Sequence, residues 1–76
     1  MFVRWLFKMN GKEFIRRAKK LGRAKGVAVL IDKAHGNGNH QTLFYGSGRT
    51  IVKYGEIGKG LLHDMLKQLG IDPHEF

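Results

Sequence analysis

The sequence contains no cysteine, so disulfides and thiolate metal sites are excluded. Zinc fingers, disulfide-stapled miniproteins and enzymes with a cysteine nucleophile are excluded with them. Proline occurs once, at Pro73, and no Ser- or Pro-rich linker divides the 76 residues, so we predict one domain over 1–76. Acidic residues are also scarce, because 6 Asp and Glu stand against 14 Lys and Arg. They are scattered and do not offer the clustered carboxylates that a two-metal nuclease requires.

Long apolar runs are missing as well. The first eight residues, MFVRWLFK, are interrupted by Arg4 and Lys8. A membrane span needs ~20 apolar residues and a signal peptide roughly 7–15, so we predict neither. The lack of cysteine is compatible with a reducing compartment, and we expect a cytoplasmic protein. Two interpretations of residues 1–9 remain open: an added strand or packed arm, or a translation start at Met9.

What the chain does have is a strong positive charge and a globular composition. The formal net charge is +8 at pH 7, the pI is about 10.2, and 42% of the residues are hydrophobic. A compact body with this charge attracts polyanions such as nucleic acid, an acidic membrane surface or an acidic protein.

Hydrophobic periodicity predicts two helices that enclose three strands. Asn10 with Glu13 three residues later is a helix-capping pattern, and apolar residues then recur at helical spacing until Gly22, so we predict a helix over 11–21. The other predicted elements are a buried strand at 27–31, strands at 40–45 and 49–54 around a hairpin loop at 46–48, a helix over 61–69 closed by Gly70, and a turn at Asp72-Pro73.

This order predicts an α+β two-layer sandwich: helix, strand, strand, strand, helix, with an antiparallel three-stranded sheet. Each helix has one apolar stripe, so the two helices can cover only one face of the sheet. The other face stays open to solvent or to partners. The core of the domain is expected at about 10–71.

Two glycine and histidine patterns fit known binding motifs poorly. The stretch 55–60 lacks the spacing of a nucleotide-binding P-loop. Its Gly55-x-x-Gly58 matches the GXXG of KH domains, but Glu56 would repel phosphate and the flanking elements differ, so turn and cap duty is the better interpretation. His35 and His40 lack a further ligand nearby, and we predict no metal and no cofactor.

His40 is the strongest candidate for a functional side chain. It begins a strand directly after a turn-rich stretch, where functional groups are displayed on a rigid support. Histidine is also the residue type that transfers protons in both directions near neutral pH. From the residues alone, an ordinary surface histidine in a basic protein remains the alternative.

From about residue 10 to the C-terminus the chain resembles the HicA (YcfA-like) family of bacterial toxins. The family places a Gly-Ser-His or Gly-Ser-Asn-His stretch at the start of its second strand, where this chain has Gly38-Asn39-His40, with asparagine in place of serine. The blocks 49–52, 55–60 and 61–71 and the acidic, Phe-ending tail 72–76 are similar too. The proline often found after the third strand is missing, with Tyr54 near its place.

This resemblance implies a double-stranded-RNA-binding-domain-like fold and metal-independent cleavage of mRNA by one essential histidine at the position of His40. It also implies an acidic HicB-like antitoxin as partner, with no membrane involved. For binding RNA we nominate Asn39, Gln41, Arg49, Lys53 and Lys59, with Lys33 behind them, while a role for His35 stays open. The alternatives are a non-catalytic RNA-binding module of the same fold and a basic protein whose main partner is an acidic protein.

Overall fold

A computed structural model describes residues 9–33 and 40–76. The elements are α1 (Gly11–Lys25), β1 (Val29–Asp32), β2 (His40–Tyr45), β3 (Gly48–Lys53) and α2 (Lys59–Leu69). The strands form an antiparallel sheet in the order β1-β2-β3. The predicted α+β order is confirmed. The predictions for residues 1–8 and for the turn at 34–39 lie outside the described residues.

Helix α1 begins where the capping pattern predicted but ends later. Asn10 is extended, and its side-chain oxygen accepts a hydrogen bond from the Glu13 backbone N–H at 2.9 Å. The predicted end at residue 21 is wrong, because the helix continues to Lys25 and closes at Gly26, which has a φ of 72°. Gly22 is not the cap; it is buried inside the helix, where α1 packs against the sheet.

The sheet has one covered and one uncovered face, as strand alternation requires. The covered face is formed by Val29, Ile31, Gln41, Leu43, Tyr45, Thr50 and Val52. We call the opposite side the uncovered face; it carries Leu30, Asp32, His40, Thr42, Phe44, Arg49, Ile51 and Lys53, none of which is buried. No helix within 9–33 and 40–76 packs on this second face.

Strand β1 departs from the prediction of a buried strand over 27–31. It covers Val29–Asp32, lies at the sheet edge, and has one exposed and three half-buried residues. Because both helices lie on one face, neither outward side chain of β1 is buried: Leu30 is exposed and Asp32 is half-buried. The third strand covers 48–53 rather than 49–54, and Gly46 opens a two-residue loop with a φ of 59°, as a hairpin turn needs.

The core lies between the two helices and the covered face. Its largest fully buried side chains are Phe14, Leu43, Val52, Leu62, Met65 and Leu66. Helix α2 begins at Lys59, two residues before the predicted start, and ends at Gly70 as predicted. Gly58 is its N-cap residue, in line with the cap role expected for these glycines. At 15 and 11 residues, neither described helix has the length and apolar character of a membrane span.

Both ends of the described chain are tied to this core. The Ile57 backbone N–H donates to the Met9 carbonyl at 2.6 Å, and Met9 is buried. At the other end the predicted turn forms, with the Glu75 N–H bonded to the Asp72 carbonyl. The Phe76 ring then lies 4.9 Å from that of Phe14. The C-terminal tail is therefore packed on α1.

Candidate active site on the uncovered sheet face

His40 is the first residue of β2, as predicted, and it lies on the uncovered face. The imidazole is half-buried, and its Nδ1 atom is enclosed with no hydrogen-bond partner in the described part of the chain. The ring is therefore carried by a paired strand and is partly exposed to solvent. This arrangement offers one proton-transferring group at the edge of a broad open surface.

Two cations share this face with His40. Lys53 stands directly opposite His40 in the register of β2 and β3, and Arg49 stands opposite Phe44. Side chains directly opposite in an antiparallel pair have Cβ atoms about 4.5–5.5 Å apart, so the side chains of Lys53 and His40 are neighbours on this face. Within the described strands, the acidic residue on this face is Asp32 of β1, which is paired with Thr42 of β2.

An apolar strip crosses the three strands beside these charges. Leu30 is 66% exposed and Ile51 is 55% exposed, whereas Phe44 between them is half-buried. A shallow groove of about 570 Å³ lies beside Phe44 and Ile51, and Asp32, Thr42 and Arg49 also line it, whereas Leu30 does not. The face therefore combines a proton-transfer group, cations and an apolar surface.

Gln41 does not join this site. It lies on the covered face, is 3% exposed, and its Oε1 atom has no partner among the described residues. It lines a different groove of about 400 Å³ with Lys12, Lys19 and Lys33. Gln41 and His40 therefore lie on opposite faces of the sheet, because adjacent residues of a strand point to opposite faces. The predicted role of Gln41 in binding RNA stays a prediction.

The remaining nominated residues are placed as follows. Lys59 is exposed as the first residue of α2, so it belongs to the helical layer and not to the uncovered face. Lys33 is exposed just after β1 and lines the groove that holds Gln41. Asn39 and His35 lie outside the described residues.

Two acidic residues neutralise cations on the far side of the molecule. Glu13 pairs with Arg16 and Arg17 at 2.6 and 2.9 Å, and hydrogen bonds from these guanidinium groups, Arg16 first, lower the pKa of Glu13. Glu75 pairs with Lys25 at 2.6 Å, and its hydrogen bond raises the pKa of Lys25. Among the described residues, neither Arg49 nor Lys53 has such an ion pair, so both remain available to an anionic ligand.

No cluster of three or more histidine or carboxylate side chains within 9–33 and 40–76 is arranged to hold a metal ion. The described residues do supply a histidine paired across strands with a lysine. That pair is suited to proton transfer beside a phosphate, because the lysine stabilises negative charge where it develops.

No protein-family model, curated protein or solved structure matches the chain.

The apolar strip was not among the features predicted from the sequence. Leu43, Phe44 and Tyr45 form one apolar run, which gives no sign of which residue faces outward. Side chains alternate between the two faces of a strand, and counting from His40 would have placed residues 40, 42 and 44 on one face. Phe44 thus belongs to the candidate site, while its two neighbours belong to the core.

Proposed function

We propose that this protein is a HicA-like toxin, an endoribonuclease that cleaves mRNA with His40 as its proton-transfer group. The observation that carries the proposal is the position of His40 opposite Lys53 on a sheet face that no described helix covers. The sequence resemblance supplies the reaction class. The double-stranded-RNA-binding-domain-like form of the fold is part of the same proposal.

The reaction uses the nucleophile that RNA carries itself. The 2′-hydroxyl attacks the adjacent phosphorus, and its proton passes to the imidazole of His40; we assign Nε2 as the acceptor because Nδ1 is enclosed. The bond from phosphorus to the 5′-oxygen breaks, leaving a 2′,3′-cyclic phosphate, and the leaving oxygen takes a proton from water. Proton transfer of this kind contributes ~10²–10⁴-fold in rate.

Lys53 acts on the charge that develops during this attack. Its ammonium group stands across from His40 and stabilises the additional negative charge on the phosphate oxygens. Arg49, at the other end of the same strand, holds a neighbouring phosphate and so positions the strand. In this mechanism His40 transfers the proton, Lys53 stabilises the developing charge and Arg49 positions the RNA.

An active ribonuclease requires an inhibitor in its own cell. A net charge of +8 favours an acidic partner, because charge complementarity speeds association. We assign this role to an acidic HicB-like antitoxin that covers the uncovered face and occludes His40. Toxin, antitoxin and mRNA then meet in the cytoplasm.

One observation favours the second candidate, a non-catalytic RNA-binding module. No described side chain accepts a hydrogen bond from Nδ1 of His40, although acid–base histidines are commonly oriented by such a partner. In that case the cations and the apolar strip bind RNA and His40 is one contact among several.

Cleavage of a purified mRNA in the presence of excess chelator separates the two candidates. We expect the wild type to cut and to leave 2′,3′-cyclic phosphate ends, and His40→Ala to lose all detectable cutting. His63→Ala, which removes an exposed histidine on α2, is the matched control and keeps full activity. Normal cutting by a folded His40→Ala protein contradicts the proposal, and RNA binding without cutting by the wild type favours the module.

A further inference from the structure

The uncovered face exposes apolar side chains that have no part in the roles proposed for His40, Arg49 and Lys53. Two of the three large exposed hydrophobic residues of the described chain, Leu30 and Ile51, lie on it. Leu30 is paired with Phe44 in the register of β1 and β2, and Ile51 of β3 lies diagonal to Phe44, since its direct partner on β2 is Thr42. Contiguous exposed apolar surface on a small soluble domain marks a binding site.

The cations are arranged around this strip in a regular way. Along β3 the outward residues are Arg49, Ile51 and Lys53, so that an apolar side chain is flanked by a cation on each side. Phe44 stands directly opposite Arg49. A ligand that fits this pattern has flat apolar groups in the centre and negative charges at intervals along its length.

Single-stranded RNA has this combination, whereas duplex RNA does not. In a duplex the base faces are stacked on each other, and the surface consists of phosphates, 2′-hydroxyls and base edges. In a single strand the bases are free to stack on aromatic rings while cations follow the backbone. A duplex would therefore offer no apolar surface for contact with Phe44, Ile51 and Leu30.

We infer that Phe44 is a base-stacking platform that restricts the substrate to single-stranded RNA; the inference rests on the proposed function. The groove beside Phe44 has the size of a small-ligand pocket, about 570 Å³, and Arg49 at its edge takes the adjacent phosphate. Phe44 lies four residues from His40 on the same face, which is roughly 13 Å along the strand. A base held at Phe44 thus positions the phosphodiester that reaches His40, and Phe44 acts as a positioning residue.

The test measures binding separately from cleavage. In a His40→Ala background, the dissociation constant is measured by fluorescence anisotropy for a labelled RNA of about 12 nucleotides, a length within the ssRNA site-size range, and for its blunt duplex. Loss of one stacked base is worth ≈ 1–3 kcal/mol, so Phe44→Ala should weaken single-strand binding by roughly 5- to 150-fold. Duplex binding should be weaker from the start and should not change with Phe44.

Two further substitutions separate stacking from apolar burial. Phe44→Trp keeps a stacking ring and should retain single-strand affinity, whereas Phe44→Leu keeps apolar bulk without a ring and should bind like Phe44→Ala. Leu61→Ala removes an exposed apolar side chain on α2, outside the sheet, and is the matched control with unchanged affinity. Thermal unfolding of each variant shows that the fold is retained, and the conservative Phe44→Leu protein keeps the test decisive if Phe44→Ala unfolds.

Several results overturn the inference. Base stacking is contradicted if Phe44→Ala weakens the binding of single strand and duplex equally, or if Phe44→Leu keeps full affinity. It is also contradicted if poly-glutamate of equal charge displaces the RNA. That last result favours an acidic protein as the occupant of the strip. If the wild type does not cleave RNA but Phe44 still governs single-strand binding, the catalytic proposal fails and this inference stands. If the wild type cleaves single strands and Phe44→Leu cleaves them with unchanged KM, only this inference fails.

Discussion

Gly22 of α1 lies so close to β1 that a side chain there would collide with Val29. A Cβ placed on Gly22 would come within 2.4 Å of Val29 Cγ2 and 2.8 Å of the Val27 carbonyl oxygen. Gly22 is buried in the last turn of α1, and glycine is a poor helix former. The close approach of helix and sheet explains why a glycine is present there.

Gly22→Ala should therefore destabilise the protein, although alanine favours helix. Overpacking costs about 1–3 kcal/mol, and we expect the upper part of that range because one of the two close atoms is a backbone oxygen, which cannot rotate away. The net effect is then a loss, since alanine gains only ~1 kcal/mol in a helix. Gly60→Ala is the matched control, because this helical glycine has nothing within 4 Å of its Cβ position. Its thermal midpoint should be unchanged or higher, whereas a Gly22→Ala midpoint equal to the wild type would contradict the packing.

Stability in acid should depend on Glu13. The pKa of Glu13 is lowered by its hydrogen bonds to Arg16 and Arg17, so its contribution is present above the ordinary value of 4.5 and is lost as the pH falls through the lowered value. Between pH 7 and pH 3, Glu13→Gln should lose less stability than the wild type does. Denaturant unfolding at the two pH values measures this difference.

The control for Glu13 is Glu56→Gln. Glu56 is exposed and forms no ion pair within the described part of the chain, and the substitution removes the same charge. Its pH dependence should follow that of the wild type. Identical pH dependence of all three proteins would show that the Glu13 ion pairs contribute nothing in solution.

RNA affinity should depend on salt through Arg49 and Lys53. For single strands each phosphate contact adds about 0.7 to the slope of log K against log salt. In the His40→Ala background, Arg49→Gln and Lys53→Gln should each reduce that slope by roughly this amount. Lys20→Gln, an exposed cation on α1, removes the same charge away from the sheet and should leave the slope unchanged.

Expression in a bacterium should arrest growth. The wild type alone should be toxic, because an uninhibited ribonuclease degrades the mRNA of its host, whereas His40→Ala at the same level should not be. Co-expression of an acidic HicB-like protein should restore growth. Colony counts with protein levels confirmed by blot measure the effect, and harmless expression of the wild type would contradict the toxin proposal.

Local sequence patterns were sufficient for the order of elements and for His40 at the start of β2, but not for contacts between layers. The helix-end rule selects the first suitable glycine, Gly22, while tertiary packing makes Gly26 the cap. The five apolar residues 27–31 indicate burial on both sides, but the sheet has one uncovered face and β1 is at its edge. The alternation of side chains along a strand is enough to place Gln41 on the other face of the sheet from His40. Only the register of β2 and β3 places Phe44 beside Arg49.

The cations of β3 have a second consequence, for self-association. As described, β3 is an edge strand, and outward charges on such a strand discourage pairing with the edge of another copy. Arg49 and Lys53 flank the exposed Ile51, and we expect their charges to oppose contact between the β3 strands of two copies. Removing both charges would expose an apolar edge, and the resulting protein would tend to precipitate. The residues proposed to attract RNA are therefore also expected to oppose self-association of the domain through β3.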